Sequence, residues 1–175
     1  MRVKNLLVTG RPGSGKTTLI ESVVQKYAGD AGGFYTREIR EHGVRKGFSI
    51  VTLDGETGIL AHVNVNSPVR VSKYGVDVKA LESVAVRALR RAVEGKKVAV
   101  IDEIGRMEMA SEEFWRSVLE ALASDCIVLA TIQQHPHPFT DAIKRRADTR
   151  VFQLTSENRG AVREAIQGIL EELLI

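Results

Sequence analysis

The chain predicts an α/β fold around a mainly parallel sheet, on three observations. Apolar, β-prone runs recur along its length, at Leu6-Leu7-Val8-Thr9, Val98-Ala99-Val100-Ile101 and Ile127-Val128-Leu129-Ala130. Segments with helical spacing of apolar residues separate these runs, as crossovers between parallel strands require. The first run leads directly into Gly10-Arg11-Pro12-Gly13-Ser14-Gly15-Lys16-Thr17, and a helix-like segment follows at once. A length of 175 residues suits a single domain, 1–175, with a core of its own.

Strand 1 is expected over 4–9 and helix 1 over 15–28, with Leu19, Val23, Val24 and Tyr27 at helical spacing. Gly29, Gly32 and Gly33 then punctuate the chain. Between 33 and 63 the pattern changes to short alternating runs: Phe34-Tyr35-Thr36, Phe48-Ser49-Ile50-Val51-Thr52-Leu53 and Ile59-Leu60-Ala61-His62-Val63. Turn signals at His42-Gly43 and Asp54-Gly55-Glu56-Thr57-Gly58 divide them, which predicts an inserted antiparallel β-meander beside the parallel sheet. The stretch 64–74 reads as loop. Helix 2 is expected over 77–94, capped by Asp77, with Leu81, Val84, Ala85 and Leu89 on one face. Residues 97–101 form a fully apolar strand, and Ser111 caps a helix to about 123 that turns Phe114, Val118 and Leu122 inward. The next buried strand covers 125–131. A loop rich in His and Pro follows, then a short helix near 139–145, a strand over 150–154 and a last helix over 156–174. Thr155 or Ser156 would cap that helix.

Hydrophobic residues make up 43% of the chain and charged ones 27%, which excludes a disordered chain. The net charge is only +3, with no block of like charge, so nucleic acid and membrane surfaces gain little support as partners. Cys126 is the only cysteine, which rules out an intrachain disulfide, and its apolar surroundings make it a small core residue. No apolar run has the length of a membrane span or the form of a signal peptide, so a cytoplasmic protein is expected. The sequence leaves the oligomeric state open, a monomer included.

Chemistry concentrates in two places. Gly10 to Thr17 match G-x-x-x-x-G-K-[ST], set between a strand and a helix as a phosphate-binding loop must be. Gly10, Gly13 and Gly15 permit a tight turn whose amides point inward, with Arg11, Pro12 and Ser14 completing it. The helix N-terminus adds orphan N–H donors and partial positive charge. Lys16 can reach the β- and γ-phosphates, the Thr17 hydroxyl can ligate Mg²⁺, and Thr18 can hold the α-phosphate.

The second place is Val98-Ala99-Val100-Ile101-Asp102-Glu103, an apolar strand that delivers two carboxylates at its C-terminal end, where open α/β sheets bind ligands. Asp102 would hold Mg²⁺ or its water, and Glu103 would orient an attacking water and take its proton. Asp102-Glu103-Ile104-Gly105 also matches the D-x-x-G of GTPase switches, but the chain lacks N-K-x-D, the guanine-reading partner. Thr131 and Gln133 at the end of the next strand could sense the γ-phosphate. Arg106, with Arg145 and Arg146 as lesser candidates, could stabilise charge on the transferring group. His135-Pro136-His137 lacks the clustered ligands of a metal site.

Gly33-Phe34-Tyr35-Thr36-Arg37-Glu38-Ile39-Arg40, Tyr74-Gly75-Val76-Asp77, Asp102-Glu103-Ile104-Gly105-Arg106-Met107-Glu108 and Thr155-Ser156-Glu157-Asn158-Arg159 carry a further signal. With these segments in this order, the chain resembles the nucleoside-triphosphatases first described from thermophiles, over nearly its whole length. The resemblance implies a three-layer P-loop NTPase fold close to RecA-like ATPases and nucleotide kinases. It implies Mg²⁺-dependent hydrolysis of ATP, GTP and other nucleoside triphosphates to diphosphate and phosphate, with broad base tolerance. It also brings Glu38 and Arg40 near the site. Family members commonly carry Lys where this chain has Arg106, which keeps the charge but changes its shape. A nucleoside or nucleotide kinase, or a nucleotide-gated interaction module, are the alternatives.

Overall fold

A computed structural model describes all 175 residues. In chain order the elements are β1 (Asn5–Thr9), α1 (Lys16–Val24) with a 3-10 turn (Gln25–Tyr27), β2 (Ala31–Glu41), β3 (Val44–Thr52), β4 (Thr57–His62), β5 (Arg70–Val71) and β6 (Tyr74–Val76). Helix α2 (Val78–Ala80) continues through a π-helical segment (Leu81–Val86) into α3 (Arg87–Gly95), and β7 (Val98–Ile104) follows. A 3-10 turn (Glu108–Ala110), α4 (Glu112–Ala123), β8 (Ile127–Ile132), α5 (Pro138–Lys144), β9 (Thr149–Gln153) and α6 (Arg159–Leu173) complete the chain.

All nine strands share one sheet, ordered β5-β6-β4-β3-β2-β7-β8-β1-β9. Pairings from β2 to β9 are parallel, and those from β2 to β5 antiparallel. Alternation along the parallel strands makes the three layers. Leu6, Val8, Val98, Val100, Ile127 and Leu129 pack on the α1 and α6 side, against Ile20, Val23 and Ile166. Leu7, Ala99, Ile101, Val128 and Ala130 pack on the opposite side, against Leu81, Leu89, Phe114 and Leu122. With both faces covered, these strands read as continuous apolar runs, which made them legible in the sequence.

The meander is joined to the parallel half by one long strand. The first residues of β2, Ala31 to Phe34, pair in parallel with β7, and its remainder pairs with β3. The glycines read as punctuation at 32 and 33 thus lie inside a strand. Gly33 has φ +115°, and a Cβ there would sit 2.0 Å from the Val100 carbonyl oxygen of the neighbouring strand. Gly33→Ala should therefore cost at least about 3 kcal/mol by denaturant unfolding, through strain and a steric clash at the centre of the sheet.

The stretch read as loop holds two short strands, β5 and β6, which close the outer edge of the meander. Too few residues alternate there to betray them. Asp77 accepts from the Ala80 amide at 2.9 Å and Ser111 from the Phe114 amide at 3.1 Å, so both expected caps form. The last helix starts three residues later than expected. Its N-cap is Asn158, so neither Thr155 nor Ser156 caps it. The Asn158 side chain instead ties the preceding loop, accepting from the Thr155 amide and donating to the Gln153 carbonyl, both at 2.7 Å. Cys126 is buried and unpaired, as expected. No helix is long and apolar enough to cross a membrane.

Candidate active site

The loop 10–17 leaves β1 at the C-terminal edge of the parallel strands and enters α1. Gly13 has φ +78° and Gly15 φ +90°, conformations that L side chains rarely adopt. Space around Gly13 is open, whereas a Cβ on Gly15 would lie 3.0 Å from the guanidinium of Arg159. Arg159, first residue of α6, thus lies over the loop. The Lys16 ammonium folds back on its own loop, donating to the Gly10 carbonyl at 3.0 Å and the Arg11 carbonyl at 3.2 Å.

Asp102 stands opposite, at the end of β7 and almost fully buried. Its carboxylate accepts from the Thr17 hydroxyl at 2.7 Å and from the Thr131 hydroxyl at 2.6 Å. Burial pushes its pKa up, and these hydroxyls with the Thr36 amide counteract the rise. Thr131, a γ-phosphate sensor by expectation, is fully buried and spends its hydroxyl orienting Asp102. Gln133 lies outside the cleft wall and donates to the His135 carbonyl.

Glu103, the next residue, lines the cleft. Burial and neighbouring Asp102 raise its pKa, while the Lys16 ammonium pulls it down. Gly105 explains part of its placement: a Cβ there would come within 3.0 Å of Cγ and Oε1 of Glu103. The glycine of Asp102-Glu103-Ile104-Gly105 is therefore a seat for the carboxylate.

Sequence reasoning missed Glu108. It is fully buried, accepts from the Glu103 backbone amide, and has a pKa well above the ordinary range because of burial and the nearby Glu103 carboxylate. A folded-state pKa above the unfolded value near 4.5 means that the folded protein keeps a proton that the unfolded chain releases. Stability should fall as pH rises out of the carboxylate range toward the raised value. Glu108→Gln should flatten that decline, read as melting temperature between pH 5 and pH 8 without nucleotide, at about 2–4 °C per kcal/mol.

The residues meet around a cleft of about 560 Å³, whose wall joins Pro12, Gly13, Gly15, Lys16, Thr17 and Thr18 to Asp102 and Glu103. Its other wall comes from the meander: Thr36, Arg37, Glu38, Arg45 and Phe48. Glu38 thus reaches the site, whereas Arg40 contributes through an ion pair to Glu38 at 2.7 Å. Arg45 and Phe48 carried no sequence signal, because only hairpin pairing brings them beside the loop.

Three expected arginines lie elsewhere. Arg106 is exposed and is not part of the cleft wall. Arg145 caps the C-terminus of α5. Arg146 pairs with Asp148 at 2.9 Å and donates to the Leu122 carbonyl, at the opposite end of β1. His137 accepts from the Phe139 amide through Nδ1 as the N-cap of α5, a structural role, and no group of three or more His, Cys, Asp or Glu side chains could hold a metal. Trp115 stacks on Phe139 and donates to the Met109 carbonyl, away from the cleft.

A second, polar cavity of about 580 Å³ adjoins the first across Pro12 and Gly13. Arg11, Ser14, Gln134, Gln153, Thr155, Ser156 and Glu157 line it.

A glycine-rich loop entering a helix, facing a buried aspartate at the end of a parallel strand, defines the class of phosphate-loop nucleotide-binding α/β proteins. Comparison narrows this. A family model described as NTPase matches residues 5–167. The chain is 47% identical over 166 residues, 95% of each chain, to the nucleoside-triphosphatase THEP1 of Thermotoga sp. strain RQ2. It is 41% identical to the human cancer-related nucleoside-triphosphatase, over 89% of this chain and 90% of that one. The crystal structure of THEP1 from Aquifex aeolicus superposes with a TM-score of 0.88 at 36% identity, covering 95% of this chain and 99% of that one. The chain belongs to this nucleoside-triphosphatase family.

Proposed function

We propose that the protein hydrolyses nucleoside 5'-triphosphates to the diphosphate and phosphate, with Mg²⁺ and with tolerance for the base, in the cytoplasm. The observation that carries the reading is the junction of Thr17 and Asp102 at 2.7 Å in a cleft that also holds Lys16 and Glu103. Gly10, Arg11, Pro12, Gly13, Ser14, Gly15, Lys16, Thr17 and Thr18 would embrace the triphosphate, with loop amides as donors.

Thr17 and Asp102 fit Mg²⁺: both offer hard oxygens, and their mutual hydrogen bond leaves one carboxylate and one hydroxyl to act together. One carboxylate suits an ion that keeps waters and takes its remaining ligands from phosphates. When bound, Mg²⁺ supplies neutralisation of phosphate charge. Lys16 exchanges its two loop carbonyls for phosphate oxygens. Glu103, whose ionised form Lys16 favours, would accept a hydrogen bond from a water placed for in-line attack and then its proton. Thr131 keeps Asp102 oriented throughout.

The second cavity, beside the phosphate loop, supports base tolerance as the place for the base. Gln134 and Gln153 each carry a donor and an acceptor that exchange places by an amide flip, so either pattern of base edge would find partners there.

The test is phosphate release from ATP, GTP, CTP, UTP and ITP, with Mg²⁺ or with EDTA, with nucleotide products identified and nucleosides and monophosphates added in parallel. Mg²⁺-dependent formation of diphosphates from several triphosphates, indifferent to acceptors, supports the reading. Negligible release that becomes fast transfer onto one acceptor overturns it in favour of a kinase.

A further inference from the structure

We infer that Arg45, from the antiparallel meander, is a catalytic residue that stabilises charge on the transferring phosphoryl group. The inference rests on the hydrolase reading above. A loose phosphoryl-transfer transition state spreads charge over equatorial oxygens, and a fixed cation beside them stabilises that charge more than the ground state. Lys16 serves the β–γ side from the loop. A cation held on the meander would serve the opposite side from across the cleft.

Arg37 and Arg45 are the only arginines that line the cleft wall. Arg37 is engaged, with its guanidinium 2.5 Å from Glu21 of α1. Arg45 is braced but not neutralised. Its Nε donates to the Tyr74 hydroxyl at 3.0 Å and its Nη1 to Glu38 Oε1 at 3.3 Å. Its guanidinium stands over the rings of Phe48 and Tyr74, 5.3 and 5.8 Å from their centroids. Two rings and two hydrogen bonds fix the plane of the fork, so little freedom remains to be lost when a phosphate arrives.

Charge counting points the same way. Glu38 is shared with Arg40, whose Nε donates to Oε2 at 2.8 Å. Two arginines around one carboxylate leave one positive charge of this group unmatched, and Nη2 of Arg45 makes no hydrogen bond. The bracing residues come from β2, β3 and β6, so the device exists only once the meander has folded. A conventional loop arginine could not be held in this way without such a frame.

The test compares Arg45→Ala and Arg45→Lys with wild type in two measurements. Single-turnover hydrolysis should fall about 100-fold in Arg45→Ala, while the Kd for a non-hydrolysable triphosphate with Mg²⁺ stays within about threefold. Binding of the diphosphate with Mg²⁺ and aluminium fluoride, by calorimetry, should lose at least about tenfold in affinity, whereas binding of the diphosphate alone should not change. Arg45→Lys should restore little, because an ammonium lacks the fork. It also keeps the stem and charge, so it carries the same prediction if Arg45→Ala fails to fold. Tyr74→Phe, which keeps the ring and removes one brace, should give an intermediate loss. Wild-type turnover or wild-type affinity for the fluoride complex in the Arg45 variants would overturn the assignment alone. A wild-type protein that forms no diphosphate would overturn the hydrolase reading and this role with it.

Discussion

Glu103→Gln should lower turnover about 10³-fold while nucleotide affinity stays within about threefold of wild type. Glutamine keeps the size and one hydrogen-bond acceptor, so it can still hold a water, but it cannot take a proton. The effect should be confined to kcat. Glu103 sits on Gly105 and lines the cleft without holding the phosphate loop in place, which is why binding should survive. Burial lifts its pKa, so the acidic limb of kcat/KM in wild type should lie above the ordinary carboxylate range, with activity falling as pH drops through it. Single-turnover rates and equilibrium binding of a non-hydrolysable triphosphate separate the two quantities. Hydrolysis within about tenfold of wild type would remove Glu103 from the chemistry and leave it a structural neighbour of Asp102.

Lys16→Ala should be more severe, weakening binding and abolishing measurable turnover, a loss of at least about 10³-fold in kcat/KM. Two effects combine. The ammonium that would leave the Gly10 and Arg11 carbonyls for phosphate oxygens is gone. So is the positive charge that opposes protonation of buried Glu103. Removing the lysine should therefore move the acidic limb of any residual activity upward. Residual kcat/KM followed from pH 5 to pH 9 checks that shift, and an unmoved limb would mean that Lys16 and Glu103 act independently.

Several features were legible in the residues alone because local physics sets them. The phosphate loop needs glycines at defined spacing between a strand and a helix, and that requirement is written in eight consecutive residues. The buried strands β1, β7 and β8 were readable because both faces are covered, so each carries a continuous apolar run before its polar C-terminal end. Capping by Asp77 and Ser111 was readable because the cap and its amide lie three residues apart. Asp102 and Glu103 stood out because carboxylates rarely end an apolar run without a task.

What the sequence could not convey depends on residues distant along the chain. Gly33 looked like a chain break, yet it lets β2 pass within contact of Val100, and that neighbour is known only from sheet order. Thr131 looked like a ligand sensor until the pairing of β7 with β8 put it on Asp102. Arg106 lies four residues past Asp102, and proximity in sequence suggested a shared site. The structure leaves Arg106 outside the cleft wall and brings in Arg45, some sixty residues upstream, through a hairpin.

The sequence by itself thus determined the phosphate loop, the acidic strand end and the layered α/β frame, since each is a short-range pattern with one physical solution. Tertiary structure alone decided which groups form the far wall of the cleft. Those groups arrive by strand pairing, whose register and order arise from burying two faces of one sheet at once, and no local stretch of residues encodes that outcome.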